Sequence, residues 1–477
     1  MPSPISAQEA IQEFQREAHA LWEELNRWWN AHPQATLTEI EQHLRPLRRH
    51  FEAKLVALQV LQRGAGAQDQ LPACPQCGQP MEDKGIQEKP VVGMEIEGKI
   101  PHTYYHCPHC GEGFSPLKEQ FRLTQRSPWT EWLEEEACQL AITTPSYQIA
   151  EERFERLTGA AISDSTIWRK AGPVGEQMLA VLAEEEAQSN APLVQEEAPG
   201  TERVAAADPL IGEQASVSID GGLVCVRQEG WKEVKGVAIS AVQTGAQGRG
   251  RRRNKRAQVP ARPDSEPEVH LGRHSYRMRL AEAEEFARVQ GAEADRRRVH
   301  YAAKLGCVHD GGPWIWRISQ DYYPEAIEVL DWDHGVSYVS KVAQAAFGEG
   351  STAAGQWLEE VKELLWAGDV EQARGAKWAE LPRRQGERGK TIRNGKAYLL
   401  EHQERMRYKT FREQGYPIGS GTIESGVKNV VQWRMKRGGA RWARERVNPM
   451  VVMLGEYHSG RWAERWAQIH QAEEKCA

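Results

Sequence analysis

Two strand-like runs, ASVSID over 215–220 and KLGCVHD over 304–310, each close on an aspartate followed by two glycines. A single Asp-Gly is more often only a turn. The repetition is what constrains the fold, because carboxylates at the ends of neighbouring strands converge at one edge of a sheet, where a ligand can reach them. A third acid, Glu424, lies far downstream in YPIGSGTIESGVKNVVQWRMKRGGARW, residues 416–442. Gly419 and Gly421 allow a tight backbone path ahead of it, and Lys428, Arg434, Lys436, Arg437 and Arg441 follow it. A carboxylate set in a positive surface suits a site that handles phosphate with the help of a metal. The alternative is a capped surface helix with a solvated basic face. With Asp220 and Asp310, Glu424 makes a candidate triad.

The 477 residues leave room for several domains. The net charge of −6 excludes a uniformly basic coat, so any nucleic-acid surface must be regional. No apolar run approaches the roughly 20 residues that span a bilayer, and the N-terminus lacks a signal-peptide plan, so a cytoplasmic protein with no membrane partner is expected. Residues 1–70 show apolar positions at three- and four-residue steps and read as a helical hairpin for packing or self-association. Residues 71–118 hold Cys74, Cys77, Cys107 and Cys110 in two Cys-Pro-x-Cys-Gly knuckles around a hairpin-like stretch. That is the plan of a zinc ribbon with a closed structural Zn²⁺ site. The single cysteines Cys138, Cys225, Cys307 and Cys476 read as buried or inert thiols.

Residues 128–180 have the plan of a helix-turn-helix, with Gly159 at the turn and Ser163 capping a second helix from Asp164. Were that helix to enter a major groove, Ser165, Thr166, Arg169 and Lys170 would touch DNA; an ordinary helical hairpin is the alternative. Residues 181–209 are acidic and Ala/Pro-rich, as in a linker. Residues 210–334 follow as strands, interrupted by a basic cluster, Arg249–Arg256, that reads as a loop. A helix is expected from about Leu280 to Gln290. After Asp310 the pattern suggests a strand, a turn near Pro324, and another strand through Leu330. Residues 335–415 read as a helical insertion, and 416–477 return to the core.

These blocks resemble the DDE transposases of bacterial insertion sequences, closest to the ISKra type and allied to the Mutator-like superfamily. SIDGG resembles the block around the first catalytic Asp, HDGGPWIW the second, VLDWDH the downstream Asp-x-x-His signature, and PIGSGTIESGVKNVVQWRMKRGGARW the block around the catalytic Glu. The resemblance implies a multidomain α+β chain with a ribonuclease H-like core and a helical insertion before the last acid. It implies cleavage and joining of double-stranded DNA at element ends by two Mg²⁺ (or Mn²⁺) ions on Asp220, Asp310 and Glu424. Asp331 is the alternative second Asp, and His334 belongs to the signature, where the family often has an aromatic residue in place of Asp333. A nucleoid-associated protein and a homodimer are compatible with it. Two other functions stay open: a DNA-binding regulator with an inert core, and a ribonuclease H-like nuclease.

Overall fold

The computed structural model describes residues 5–123, 127–189, 205–245 and 266–476, and the side chains as far as residue 470. The basic cluster Arg249–Arg256 and the side chain of Cys476 lie outside the described residues. The fold is α+β, and the chain divides into two compact units between Ala171 and Gly172. The boundary falls inside one helix and so cuts the expected 128–180 module.

In the first unit, α1 (Ala7–Ala31) and α2 (Leu37–Gln62) each open with a capping box, Ser6 with Glu9 and Thr36 with Glu39. Antiparallel β1 (Glu82–Val92) and β2 (Glu97–His106) form the expected hairpin, and β3 (Gly113–Phe114) adds an edge to β2. After a short α3 (Pro116–Gln120), α4 (Glu131–Thr143) and α5 (Tyr147–Thr158) lead to Gly159, which takes the left-handed conformation that ends α5. The next helix, α6 (Asp164–Ser189), begins where Ser163 Oγ accepts from the Thr166 amide. Arg49 is buried and donates to the Thr158 carbonyl at 2.7 Å, tying α2 to the end of α5.

α6 corrects the linker reading: residues 181–189 are helical, and residues 190–204 lie outside the described part. At the far end the chain is already docked, with the Leu210 amide on the Arg297 carbonyl. The acidic run reads as a solvated spacer in the sequence because its partners are distant along the chain. Glu185 and Glu186 in fact meet Arg277, Arg279, Arg296 and Arg465.

The second unit is built on β4 (Gln214–Val226), β5 (Gly230–Gly245), β6 (Glu268–Arg279), then α7 (Ala283–Arg296), β7 (Lys304–His309), α8 (Pro313–Tyr322) and β8 (Ile327–Leu330). The sheet order is β6-β5-β4-β7-β8. The β4/β5 and β5/β6 pairs are antiparallel, whereas β4/β7 and β7/β8 are parallel. One core gathers Val217, Ile219, Val237 and Ile239 of the sheet with Phe286 and Val289 of α7 and Ile315 and Ile318 of α8. Residues 313–322 are therefore a helix and not the strand expected. Pro313 opens the first turn, and Ile315, Ile318 and Ser319 recur at helical spacing on the buried side. A short aromatic run does not reveal its period, which is why the sequence suggested extended structure.

The helical stretch starts slightly earlier than expected, at Trp332: α9 (Trp332–Phe347), α10 (Thr352–Ala367), a turn of helix α11 (Val370–Gln372), α12 (Gly386–Glu401) and α13 (Tyr408–Glu413). A second core joins them to Val308, Val329 and Leu330 of the sheet. Buried Arg412 grips Glu266 through two bonds of 2.7 and 2.9 Å and lies 3.6 Å from the Trp366 ring centroid. The chain then returns through α14 (Gly421–Gly426), a π-helical stretch (Val427–Gln432), α15 (Trp433–Met435), α16 (Arg444–His458) and α17 (Trp462–Cys476).

A buried ion network lies among α6, β6, α7, α16 and α17. Glu293, fully enclosed, meets Arg461 at 2.7 Å and Arg277 at 3.3 Å, and Glu456 meets Arg461 at 2.8 Å and Arg465 at 2.7 Å. Burial would raise the Glu293 carboxyl, but Arg461 and Arg277 outweigh it and hold it down to about 2. Its folded value is depressed, so the stability it contributes is present above about pH 4.5 and is lost as pH falls toward 2. Glu293→Ala takes a carboxylate from two buried guanidinium groups, leaving Arg461 on Glu456 and Arg277 on Glu185 and Glu186, and is expected to cost about 3 kcal/mol in denaturant unfolding at pH 7. A cost below about 1 kcal/mol would show that the network is not holding these helices.

Candidate active site

Asp220 does not end its strand. β4 continues through Gly221 and Gly222 to Val226, with Asp220 opposite Gly236 of β5. What ends is the pairing with β7, whose last partners are Val217 and Cys307. Carrying that register three residues further brings Asp220 opposite Asp310, immediately past the end of β7. The Ile219 amide donating to His309 Nδ1 at 3.1 Å continues the same alignment. Two parallel neighbours in register present their side chains on the same face, about 5 Å apart in backbone.

Glu424 reaches the same edge on α14. Its neighbour Ile423 is fully buried, and the Glu424 side chain stays 46% exposed with Lys428 3.6 Å away. Glycine makes the approach of this helix to the sheet possible. A Cβ on Gly222 would lie 2.7 Å from Val427 Cγ1, and one on Gly426 2.6 Å from Tyr276 Cε1.

The three acids share an electrostatic field. Burial is the main cause that pushes the Asp220 carboxyl up to about 6; the Gly221 amide opposes it, and Asp310, Glu424 and Glu233 add repulsion. Asp333 is also raised, chiefly by burial and then by Asp331 and Glu424. This is an acidic basin of hard oxygen donors, the kind of ligand that divalent magnesium or manganese takes. Among the described residues, however, only the four cysteines bring three or more ligand atoms within 4.8 Å of one another. The carboxylates of Asp220, Asp310 and Glu424 do not all lie within that distance of one another.

Asp331 has a different task. It is buried, and both of its oxygens accept backbone amides at 2.7 Å, Oδ1 from His334 and Oδ2 from Ser420. The first bond caps α9. The second, with the Trp332 amide on the Ile418 carbonyl at 2.9 Å, pins the loop that carries Glu424 to the end of β8. With a backbone amide on each oxygen, Asp331 acts as a positioning residue for this loop. Asp331→Ala is expected to lower stability by about 1–2 kcal/mol through the lost cap, and Asp331→Asn by less, since its amide oxygen still accepts. Equal thermal midpoints for wild type and Asp331→Ala would contradict this role. The His334 ring is half-buried against Tyr338, with centroids 5.4 Å apart.

The basic run divides in two. Lys428, Lys436, Arg437 and Arg441 are exposed. Arg434 is buried with its guanidinium 5.2 Å from the Trp442 ring, so it braces the segment from beneath and is not a surface contact. The sequence could not separate them, because five cations in one stretch look alike until the helix turns one inward. Trp231 and Trp433, absent from the sequence-derived site, are exposed beside the same cations.

In the first unit the two cysteine knuckles are alike. The Gly78 and Gly111 amides donate to the Cys74 and Cys107 carbonyls, each at 2.9 Å, and both glycines have positive φ. The Cys74–Cys110 and Cys77–Cys107 sulfurs lie 3.5 Å apart. The amides of Cys110, chiefly, and of His109 draw the Cys107 thiol down to about 6 against the effect of burial. The four sulfurs could hold a structural zinc. On α6, Ser165 and Arg169 are exposed and Thr166 is half-buried, with Arg169 donating to Thr166 Oγ1 at 2.9 Å. Lys170 is committed inside the unit, to Glu134 at 3.1 Å and over the Trp129 ring, which removes it from the expected contact set. Cys138 and Cys307 are buried and Cys225 half-buried. No helix among the described residues is long and apolar enough to cross a membrane.

Compared with known families and with curated proteins, the chain matches no family model and no curated protein.

Proposed function

We propose that the chain is a metal-dependent polynucleotidyl transferase with a ribonuclease H-like core. More particularly, it is a DDE transposase that cleaves and joins double-stranded DNA at the ends of an insertion sequence. The observation that carries this reading is the register that sets Asp220 beside Asp310, with Glu424 delivered to the same edge by a helix that arrives after a long helical stretch. The mixed sheet, with its central strand flanked by one antiparallel and one parallel neighbour, supports such a core.

Asp220, Asp310 and Glu424 would hold magnesium or manganese, which supplies charge neutralisation at the attacking and leaving oxygens of a phosphodiester. Water is the first nucleophile and the freed 3′ hydroxyl the second, so no covalent protein intermediate is needed. Lys428, Lys436, Arg437 and Arg441 hold the backbone beside the cut. Asp331 keeps the Glu424 loop in place. Ser165, Thr166 and Arg169 belong to end recognition in the first unit, with the zinc module holding that unit's fold.

A purified chain with Mg²⁺ or Mn²⁺ and an element-end duplex should nick the DNA. A second reading is a DNA-binding regulator whose core is inert, since the three carboxylates are not all gathered within 4.8 Å of one another. Binding of the duplex without cleavage in either metal would decide for that regulator. Preferential cleavage of an RNA–DNA hybrid would decide for a ribonuclease H-like nuclease.

A further inference from the structure

We propose that Trp231 and Trp433 form a stacking platform for unpaired nucleobases, next to the cations that follow Glu424. The proposal rests on the transferase reading only for where such bases come from, namely a strand opened at the cut. The two rings are among the large apolar side chains left in solvent, 57% and 45% exposed. Each carries a cation at its face. Lys436 Nζ is 5.8 Å from the Trp231 ring centroid, and the Arg437 guanidinium is 4.4 Å from that of Trp433.

The frame beneath them is stiff. Trp231 pairs with Cys225 across the β4–β5 hairpin, and on the other side of Cys225 its carbonyl accepts from the Trp442 amide at 2.9 Å. The Arg227 amide returns a bond to the Trp442 carbonyl at 2.8 Å. Trp442 Nε1 donates to the Met435 carbonyl at 3.1 Å, which closes the segment after Trp433 onto the hairpin. The chain between Trp433 and Trp442 is thus sewn to the strand that carries Asp220. Of the acids near the tip of the hairpin, Glu229 is met by Arg444 at 2.6 Å and Lys232 at 3.6 Å and Glu233 by Lys235 at 3.1 Å, so Lys436, Arg437 and Arg441 leave the patch positive.

Charge complementarity decides what covers these rings. The centre of a protein interface is depleted of lysine, and seating a protein here would bury Lys436 along with the indoles. A single strand satisfies both features: its phosphates meet the cations and its base faces meet the rings. An intact duplex offers the phosphates but no free base face.

The test uses the full chain without added divalent metal and measures fluorescence anisotropy with three labelled probes of equal length. These are an oligothymidylate, an abasic strand and a blunt duplex. Wild type should bind the oligothymidylate about tenfold or more tightly than the abasic strand, since one stacked base is worth about that factor. Trp231→Ala and Trp433→Ala should each shrink that ratio, and the double variant should bring it close to one with duplex binding unchanged. Phe at either position should retain most of it. A thymidylate-to-abasic ratio that survives the double substitution overturns the proposal. So does an equal loss on all three probes, or a changed oligomeric state in size exclusion with the ratio intact. Cleavage is scored separately, so a chain that nicks DNA without base preference keeps the transferase reading and loses only the platform. A chain that binds bases and never nicks does the reverse.

Discussion

Asp220→Asn is expected to abolish metal-dependent nicking and, in the same protein without metal, to raise its stability. The loss should be about a thousandfold or more, because the carboxylate is asked for roughly 4 kcal/mol of stabilisation at the phosphodiester. The gain follows from the cost of the basin. In the fold the Asp220 carboxyl is raised to about 6, chiefly by burial and then by its acidic neighbours. A raised value means that the native state binds the proton more tightly than the unfolded chain does. Stability relative to the unfolded chain is therefore greatest below about pH 4, falls as pH rises toward 6, and stays reduced above. Asparagine has no such ionisation, so thermal melting at pH 7–8 should show a gain of up to about 2 kcal/mol. Mg²⁺ should raise the midpoint of wild type and not that of the variant. Glu424→Gln is the companion: its exposed side chain should lose nicking to a similar degree with little change in stability. Should Asp220→Asn nick as fast as wild type, the triad is wrong.

Removing zinc should unfold the cysteine module of the first unit. The purified chain is expected to contain close to one zinc per molecule, and Cys107→Ala to contain almost none. Structural zinc sites contribute an apparent 10–16 kcal/mol or so to folding, more than the small core around Met81 and Tyr105 can replace. Titration with a thiol reagent reads the result directly. Chelation should expose Cys74, Cys77, Cys107 and Cys110 to modification. Cys138 and Cys307, whose thiols burial pushes up, Cys307 to about 12, should stay silent. A metal-free preparation with an unchanged melting profile would sink the zinc assignment.

The local elements were legible wherever the pattern was long and one-sided. The capped N-terminal helices, the cysteine hairpin, the Gly159 turn and the strands leading to Asp220 and Asp310 all follow from periodicity, caps and turn residues. Asp220 and Asp310 were also visible, because an acid followed by two glycines stands out at the end of an apolar run. Reading failed where a residue's partner is remote. Pro313–Tyr322 looked extended because a short aromatic run has no clear period. Glu185 and Glu186 looked like solvated linker because Arg277, Arg279 and Arg465 are far away along the chain. Arg434 looked like one more surface cation until helical rotation put it under Trp442.

Pattern by itself marked the helical and strand-like runs, the paired cysteine knuckles and the three candidate acids, since each is a property of residues near one another in the chain. The tertiary structure decided which of the candidate acids lie near one another. Only the β4–β7 register sets Asp220 beside Asp310, only the fold puts backbone amides on both oxygens of Asp331, and only the glycines at 222 and 426 let the Glu424 helix lie close to the sheet. Register and close approach are relations between segments 90 or more residues apart, and no local periodicity encodes them.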